Sequence, residues 1–170
     1  MLMTFLAALA LQPVAQSDAS RITVSAQAPD PAADQAVRAA TRDFLDAKDQ
    51  GRLDVAYGML AAAQQTRRPR ADWDAAVRDF NSQAGEWRGR RISGVSWLTD
   101  PARPYPYGVV EYNGDYANLV FMCGVVIWER QPDGGWKVFR EVVNAATRQD
   151  APNATPEQIA AGRRQFNCRD

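Results

Sequence analysis

The sequence predicts an α+β domain in which three N-terminal helices pack on a curved four-stranded antiparallel sheet. Hydrophobic residues recur every three or four positions as far as Gly85, which is typical of amphipathic helices. Beyond Gly85, β-branched and aromatic residues recur at every second position, which is typical of strands. A length of 170 residues predicts one domain, and because 46% of them are hydrophobic, we expect it to have a buried core.

Three helices are expected in the first half of the domain. They cover Asp34–Gln50, Leu53–Ala63 and Ala71–Ala84. Gly51 is placed to end the first helix in a left-handed cap, and Gly85 ends the third. Gly58 weakens the second helix, since glycine is a poor helix former. The helices therefore come before all four predicted strands.

Four strands follow the helices. They cover Arg91–Leu98, Tyr107–Tyr116, Val120–Arg130 and Trp136–Asn144. The loop TDPARPYPY holds three prolines and must bridge the first two strands. In the run QPDGG, residues 133–134 predict a two-residue turn that makes the last two strands antiparallel. That turn would place Val126 opposite Glu141 and Trp128 opposite Phe139.

Both faces of this last hairpin are mostly apolar, so both need cover. The helices can cover one face. The other must meet a curved wall, the C-terminal tail or a partner chain. Thr155 and Pro156 can open one short helix in that tail, ending near Phe166.

The ends of the chain divide into further segments. Residues 1–17 are typical of a secretory signal, because an apolar run is followed by proline and small residues. No Lys or Arg precedes the run, so either the true start of a signal lies upstream of Met1 or the segment is an ordinary apolar N-terminus. Residues 18–33 resemble a linker, 34–146 the α+β domain and 147–170 a polar tail. We expect an exported protein, periplasmic or secreted, with no stable membrane insertion after cleavage.

The cysteine and histidine content limits the chemistry. Cys123 and Cys168 are the only cysteines and predict one disulfide in an oxidising compartment, with two unrelated thiols as the alternative. The chain has no histidine, which removes Ser-His and Cys-His nucleophile pairs and His-ligated metals. We therefore expect neither a metal nor another cofactor.

The charge balance argues against nucleic acid as a partner. Twenty basic and twenty acidic residues give a formal net charge of zero, so no global field attracts a polyanion. Two arginine clusters occur, at residues 67–70 and 88–91, and the second lies beside Trp87. They are interpreted as solvated faces.

Two segments carry a family resemblance. FLDAKDQGRLDVAYGML and ERQPDGGWKVFRE, in a chain with helices first and long antiparallel strands after, resemble the nuclear-transport-factor-2-like superfamily, a cystatin-like α+β cone. Over about residues 36–144 the chain is similar to a bacterial exported family labelled a domain of unknown function. The superfamily includes ketosteroid isomerases and dehydratases that use Asp, His and Tyr within the cone. The lack of His argues against a dehydratase.

An isomerase-type set is the first candidate site. Tyr112, Asp115 and Tyr116 would supply a carboxylate base and a hydrogen-bond donor for proton abstraction beside a carbonyl. The alternative is structural, because residues 113–115 also spell a bulge or turn and tyrosines are ordinary strand residues.

A ligand site near the closing hairpin is the second candidate. Arg140 and Glu141 are charges among apolar neighbours, and Trp128 lies on the aromatic face of the same hairpin. A structural ion pair is the alternative for the two charges, with Glu111 and Arg103 among the partners. The leading hypothesis is a non-catalytic module that binds a small apolar ligand or an envelope protein through its concave sheet, or that forms a homodimer there. The rival is a small isomerase with Asp115 or Glu141 as base, and a ligand-free scaffold is the third class.

Overall fold

The computed structural model describes residues 22–169, so the predicted signal segment lies outside the described residues. The strands are β1 (Thr23–Ser25), β2 (Trp87–Thr99), β3 (Tyr107–Tyr116), β4 (Leu119–Arg130) and β5 (Trp136–Thr147). The helices are α1 (Pro31–Asp49), α2 (Leu53–Gly58), α3 (Ala62–Arg67), α4 (Arg70–Ala84) and α5 (Pro156–Gln165). All five strands form one antiparallel sheet in chain order from β1 to β5.

The predicted fold class is wrong in two respects, although the protein is α+β. The sheet has five strands, because β1 precedes the helices and pairs with the end of β2, with Val24 opposite Leu98. This strand and the first turn of α1 lie in the segment predicted as a linker. Four helices, rather than three, lie between β1 and β2, because the predicted second helix ends at Gly58 and a further helix, α3, forms mostly in the segment 64–70 that separates the predicted helices.

The division between α2 and α3 has a clear cause. The chain leaves the helix after Gly58 and pairs with the free edge of β5. Val138 N–H donates to the Met59 carbonyl at 2.8 Å, and Ala61 N–H donates to the Val138 carbonyl at 2.9 Å. Gln64 in α3 also donates its side-chain amide to the Phe139 carbonyl. An exposed sheet edge is thereby covered at the cost of a continuous helix.

The first helix begins earlier than predicted because its cap lies in the Pro-rich segment. The Asp30 carboxylate accepts from Ala33 N–H at 2.7 Å, and Pro31 occupies the first turn, where its missing N–H is harmless. At the other end Gly51 takes φ +70°, as the predicted left-handed termination requires. The buried face of α1 packs on the inner face of the sheet through Val37, Phe44 and other apolar residues.

The closing hairpin confirms the antiparallel pairing and corrects its register near the turn. Pairs from Cys123–Asn144 to Ile127–Arg140 are as predicted, including Val126 with Glu141. Trp128, however, faces Val138 instead of Phe139, because a bulge falls between the two parts of the ladder. The turn has a third loop residue, Pro132, and Gly134 at φ +85° closes it.

The outer face of the sheet, away from α1 and α4, is partly covered by the tail. The predicted disulfide between Cys123 and Cys168 is present, and its Cα atoms are 5.6 Å apart. Phe166 packs on Phe121 with ring centroids 6.1 Å apart, and Arg169 forms a 3.1 Å ion pair with Glu111. Within residues 22–169, no helix has the length and apolar character needed to cross a bilayer.

Candidate functional site

A pocket of about 200 Å³ opens between α1, α4 and the inner face of the sheet. Its wall is mainly apolar, and the apolar residues are Leu45, Trp73, Ala76, Val77, Phe80, Met122 and Val143. Its polar groups come from the C-terminal ends of α1 and α4, from Arg68 between α3 and α4, and from strands β3 and β5. A mainly apolar cavity with a few convergent polar groups is the usual form of a small-molecule site.

The first polar cluster of the pocket joins α1 to β5. Lys48 Nζ donates to both oxygens of Glu141, at 2.6 and 2.7 Å, and the Tyr112 hydroxyl donates to the same carboxylate at 3.2 Å. The side chains of Lys48 and Glu141 are only 12% and 17% exposed. Little water reaches this ion pair, so it is screened much less than a surface pair. The carboxylate is therefore fully engaged by donors of the protein itself.

The second polar cluster joins α1 to β2 and β3. The Tyr116 hydroxyl donates to Asp49 at 2.8 Å, and Arg90 pairs with Asp46 at 2.7 Å and with Asp49. Arg90 is 5% exposed, so its charge needs these two carboxylates. The Arg90 guanidinium also lies over the Trp87 ring, 5.7 Å from the centroid. This cluster ties the end of α1 to the sheet beside the pocket.

Both tyrosines of the pocket remain protonated donors at neutral pH. Burial, and then the negative charge of Glu141, raise the pKa of Tyr112 well above its ordinary value of 10. Burial, followed by the charge of Asp49, likewise raises the pKa of Tyr116. An apolar surrounding and a nearby carboxylate both disfavour the phenolate. The hydroxyls therefore hold the two carboxylates in place.

Gly124 makes room for this arrangement in β4. A Cβ atom there would lie 2.7 Å from the Tyr112 hydroxyl and 2.7 Å from the Val142 carbonyl oxygen. Since the carbonyl belongs to the backbone, it cannot move aside cheaply. Glycine at this position therefore lets the Tyr112 ring lie across β4 and reach Glu141 on β5.

Three of the candidate residues predicted from sequence lie in one pocket. Tyr112, Tyr116 and Glu141 all line it, on the inner face of the sheet. Arg140 is exposed and lines a neighbouring groove beside β5. Among the described residues, Arg140 and Glu141 form no ion pair with the partners expected for them, Glu111 and Arg103. Glu111 pairs with Arg169 of the tail instead.

The other two candidates lie elsewhere. Asp115 is exposed, on the opposite face of β3 from Tyr112 and Tyr116, because side chains alternate along a strand. Trp128 is fully buried and does not line the pocket. Its indole N–H donates to the Thr41 hydroxyl at 2.8 Å, and its ring meets Phe44 edge to face.

The sequence prediction missed the residues of α1 that complete the site. Lys48 and Asp49 lie at the end of this helix, and their partners are on strands far along the chain. A signal for Lys48 was present: it stands four positions after Phe44 and three after Leu45, so a charge continues an apolar stripe. Across residues 22–169, no group of three or more acidic or cysteine side chains is placed to hold a metal ion.

Comparison with known proteins supports a family assignment for the part of the chain that holds the site. A family model described as a protein of unknown function, DUF4019, matches residues 40–140, more than half of the chain. The predicted similarity to a family of unknown function is thereby confirmed, while the match says nothing of the nuclear-transport-factor-2-like superfamily. No curated protein and no solved structure matches the chain.

Proposed function

We propose that this chain, which belongs to the DUF4019 family of proteins of unknown function, is a non-catalytic module that binds a small, largely apolar ligand. The ligand site is the pocket between α1, α4 and the inner face of the sheet. This places binding on the helix-covered side of the sheet. The outer face near Cys123 is occupied by the tail.

One observation carries the proposal: the carboxylates at the pocket wall are already paired, whereas the apolar part of the wall is open. Glu141 is held by Lys48 and Tyr112, and Asp49 by Arg90 and Tyr116. A carboxylate held this way is a poor proton acceptor for a substrate, since abstraction would have to displace its donors. The remaining wall offers mainly van der Waals contact and burial of apolar surface to a ligand.

Binding can be tested with the neutral, apolar dye phenylnaphthylamine on the full chain. We expect its fluorescence to rise and saturate with one site per monomer. Ala76 is exposed at the pocket mouth, so Ala76→Phe should block entry and weaken binding at least tenfold. The matched control is Ala75→Phe, an exposed neighbour on α4 that does not line the pocket, and it should bind as the wild type does. Equal affinity in both variants would refute this pocket as the site.

Export to the periplasm or beyond is part of the proposal. Its support is the signal-like segment 1–17 and the disulfide, which is compatible with an oxidising compartment. The intact mass of the protein from an envelope fraction, measured with and without reductant, tests it. An oxidised chain that begins near residue 16, 18 or 20 would support export, and a full-length reduced cytoplasmic species would refute it. In native conditions the same measurement tests the predicted envelope partner and homodimer.

An isomerase of the nuclear-transport-factor-2-like type is the alternative proposal. The observation in its favour is that Tyr112 and Glu141 meet at 3.2 Å inside the pocket. Asp115 is no longer a candidate base, because its side chain is exposed on the face of β3 that points away from the pocket. Deuterium wash-in at the carbon beside the carbonyl of a cyclic ketone is the test. Deuterium wash-in faster than in buffer alone, and lost in Glu141→Gln, would favour the enzyme. A wash-in rate equal to that in buffer would refute it.

A further inference from the structure

We infer that the ligand is an anionic amphiphile, a small carboxylic acid with an apolar body, whose acid group binds in an arginine-lined groove beside the pocket. This inference rests on the proposed function, because the apolar body would occupy the pocket between α1 and α4. The groove lies between α3 and β5 and has a volume of about 590 Å³. We call it the arginine groove, after Arg67, Arg68 and Arg140 in its wall.

The groove and the pocket share part of their walls. Arg68, Trp73 and Glu141 line both cavities. Trp73 is 5% exposed and packs edge to face on Tyr57, with ring centroids 5.5 Å apart, so this shared wall is rigid. The two cavities are therefore adjacent, and the proposed ligand would have its apolar end in the pocket and its polar end in the groove.

The groove carries uncompensated positive charge. Its three arginines are exposed, and none of them forms an ion pair with a residue in the described range 22–169. The one acidic residue in its wall is Glu141, whose charge Lys48 already neutralises. Guanidinium groups bind carboxylates with paired, charge-assisted hydrogen bonds, so three of them favour an acid over a neutral group.

The walls of the groove are held in place without a ligand. Gln64 donates to the Phe139 carbonyl, and Lys137 Nζ donates to the Gly58 carbonyl at 2.7 Å. The Tyr57 hydroxyl lies 3.1 Å from the Arg68 carbonyl and donates to it. These contacts tie α3 and the end of α2 to β5, and the segment after α3 to α2, so little ordering of the chain would be needed on binding.

The other basic cluster, residues 88–91, differs from the arginine groove because its exposed arginines line no described cavity. In the segment 88–91, Arg90 turns inward to Asp46 and Asp49, while Arg88 and Arg91 are exposed and line none of the described cavities. Arg88 and Arg91 therefore provide a control in which the same charge is removed from elsewhere on the chain.

The test compares two dyes with the same aromatic body, neutral phenylnaphthylamine and anionic anilinonaphthalenesulfonate, whose sulfonate represents the acid group. For the wild type at low ionic strength, the anionic dye should bind more tightly, and added salt should reduce this advantage because exposed charges are screened. Arg67→Gln with Arg140→Gln should weaken the anionic dye about tenfold and change the neutral dye less than twofold. Arg88→Gln with Arg91→Gln should change neither dye by more than twofold.

The other outcomes show whether the apolar pocket, the acid site or both are refuted. If the neutral dye binds in the pocket but the Arg67 and Arg140 variant leaves the anionic dye unaffected, the acid site is refuted and the apolar pocket stands. If only the anionic dye binds, and it depends on these arginines, the apolar pocket is refuted and the groove stands as an anion site. If neither dye binds, both proposals fail.

Discussion

The burial of Trp128 predicts a large loss of stability in Trp128→Ala. The side chain is 0% exposed, it packs on Phe44, and its indole N–H is hydrogen-bonded to Thr41. Truncation of a buried aromatic residue costs about 3–5 kcal/mol, and the lost hydrogen bond adds about 1 kcal/mol. We therefore expect a decrease of about 5 kcal/mol in the free energy of unfolding, close to the whole stability of a marginal domain.

Urea unfolding of the oxidised chain at pH 7, followed by far-ultraviolet circular dichroism, is the assay. Because a loss of this size leaves little folded protein in a marginal domain, Trp128→Phe provides a second variant that keeps most of the apolar volume. It should lose about 1–2 kcal/mol, mainly through the hydrogen bond to Thr41. Trp87→Ala is the control, because that tryptophan is 44% exposed, and it should cost less than about 1 kcal/mol. A Trp128→Ala loss as small as that of Trp87→Ala would refute the burial argument.

The remaining predictions concern the disulfide, the tyrosines and the buried ion pair. Replacing Cys123 and Cys168 with serine should lower the free energy of unfolding by about 4 kcal/mol, because the bridge closes a loop of 45 residues; an unchanged urea midpoint would contradict this. Above pH 10 the free energy of unfolding should fall, because the tyrosines ionise in the unfolded state while Tyr116, whose pKa is raised, stays protonated in the folded state. Below pH 10 the tyrosine is protonated in both states, so it does not change the free energy of unfolding. Tyr116→Phe should make the alkaline fall shallower in urea titrations at pH 9 to 11. Lys48→Met should lower the free energy of unfolding by about 3 kcal/mol, because the charge of Glu141 then loses its positive partner and keeps only the hydrogen bond from Tyr112. Adding Glu141→Leu should recover most of this loss, and losses that simply add in the double variant would contradict the argument.

The main helices and strands could be predicted because their periodicity is long and regular. The strand Tyr107–Tyr116 was predicted with its observed bounds. The strand Thr23–Ser25 could not be predicted, because three residues are too short for an alternating pattern and their pairing depends on β2. The break before Ala62 was missed for a similar reason, since the apolar spacing continues while the backbone turns to hydrogen-bond with β5.

The strand residues of the candidate site could be predicted from the alternation of side chains along strands, whereas its helix residues could not, because their place depends on packing. Tyr112 and Tyr116 are an even number of positions apart, so they share a face, whereas Asp115 at an odd offset must point away. Glu141 joins them because the predicted register holds in that part of the hairpin. Lys48 and Asp49 were missed because only the docking of α1 on the sheet brings them to their partners.

The bulge beside Trp128 separates the tip of the hairpin from the pocket between α1 and α4. Toward the pocket, the pairing of Val126 with Glu141 follows one register, and toward the tip, that of Glu129 with Lys137 follows another. The pairing at Glu141 therefore lies in a part of the ladder that is separate from the pairing at the tip. The loop at Pro132–Gly134 is thus the natural place for an affinity tag or a fluorescent label, because it lies on the far side of the bulge from the pairing of Val126 with Glu141.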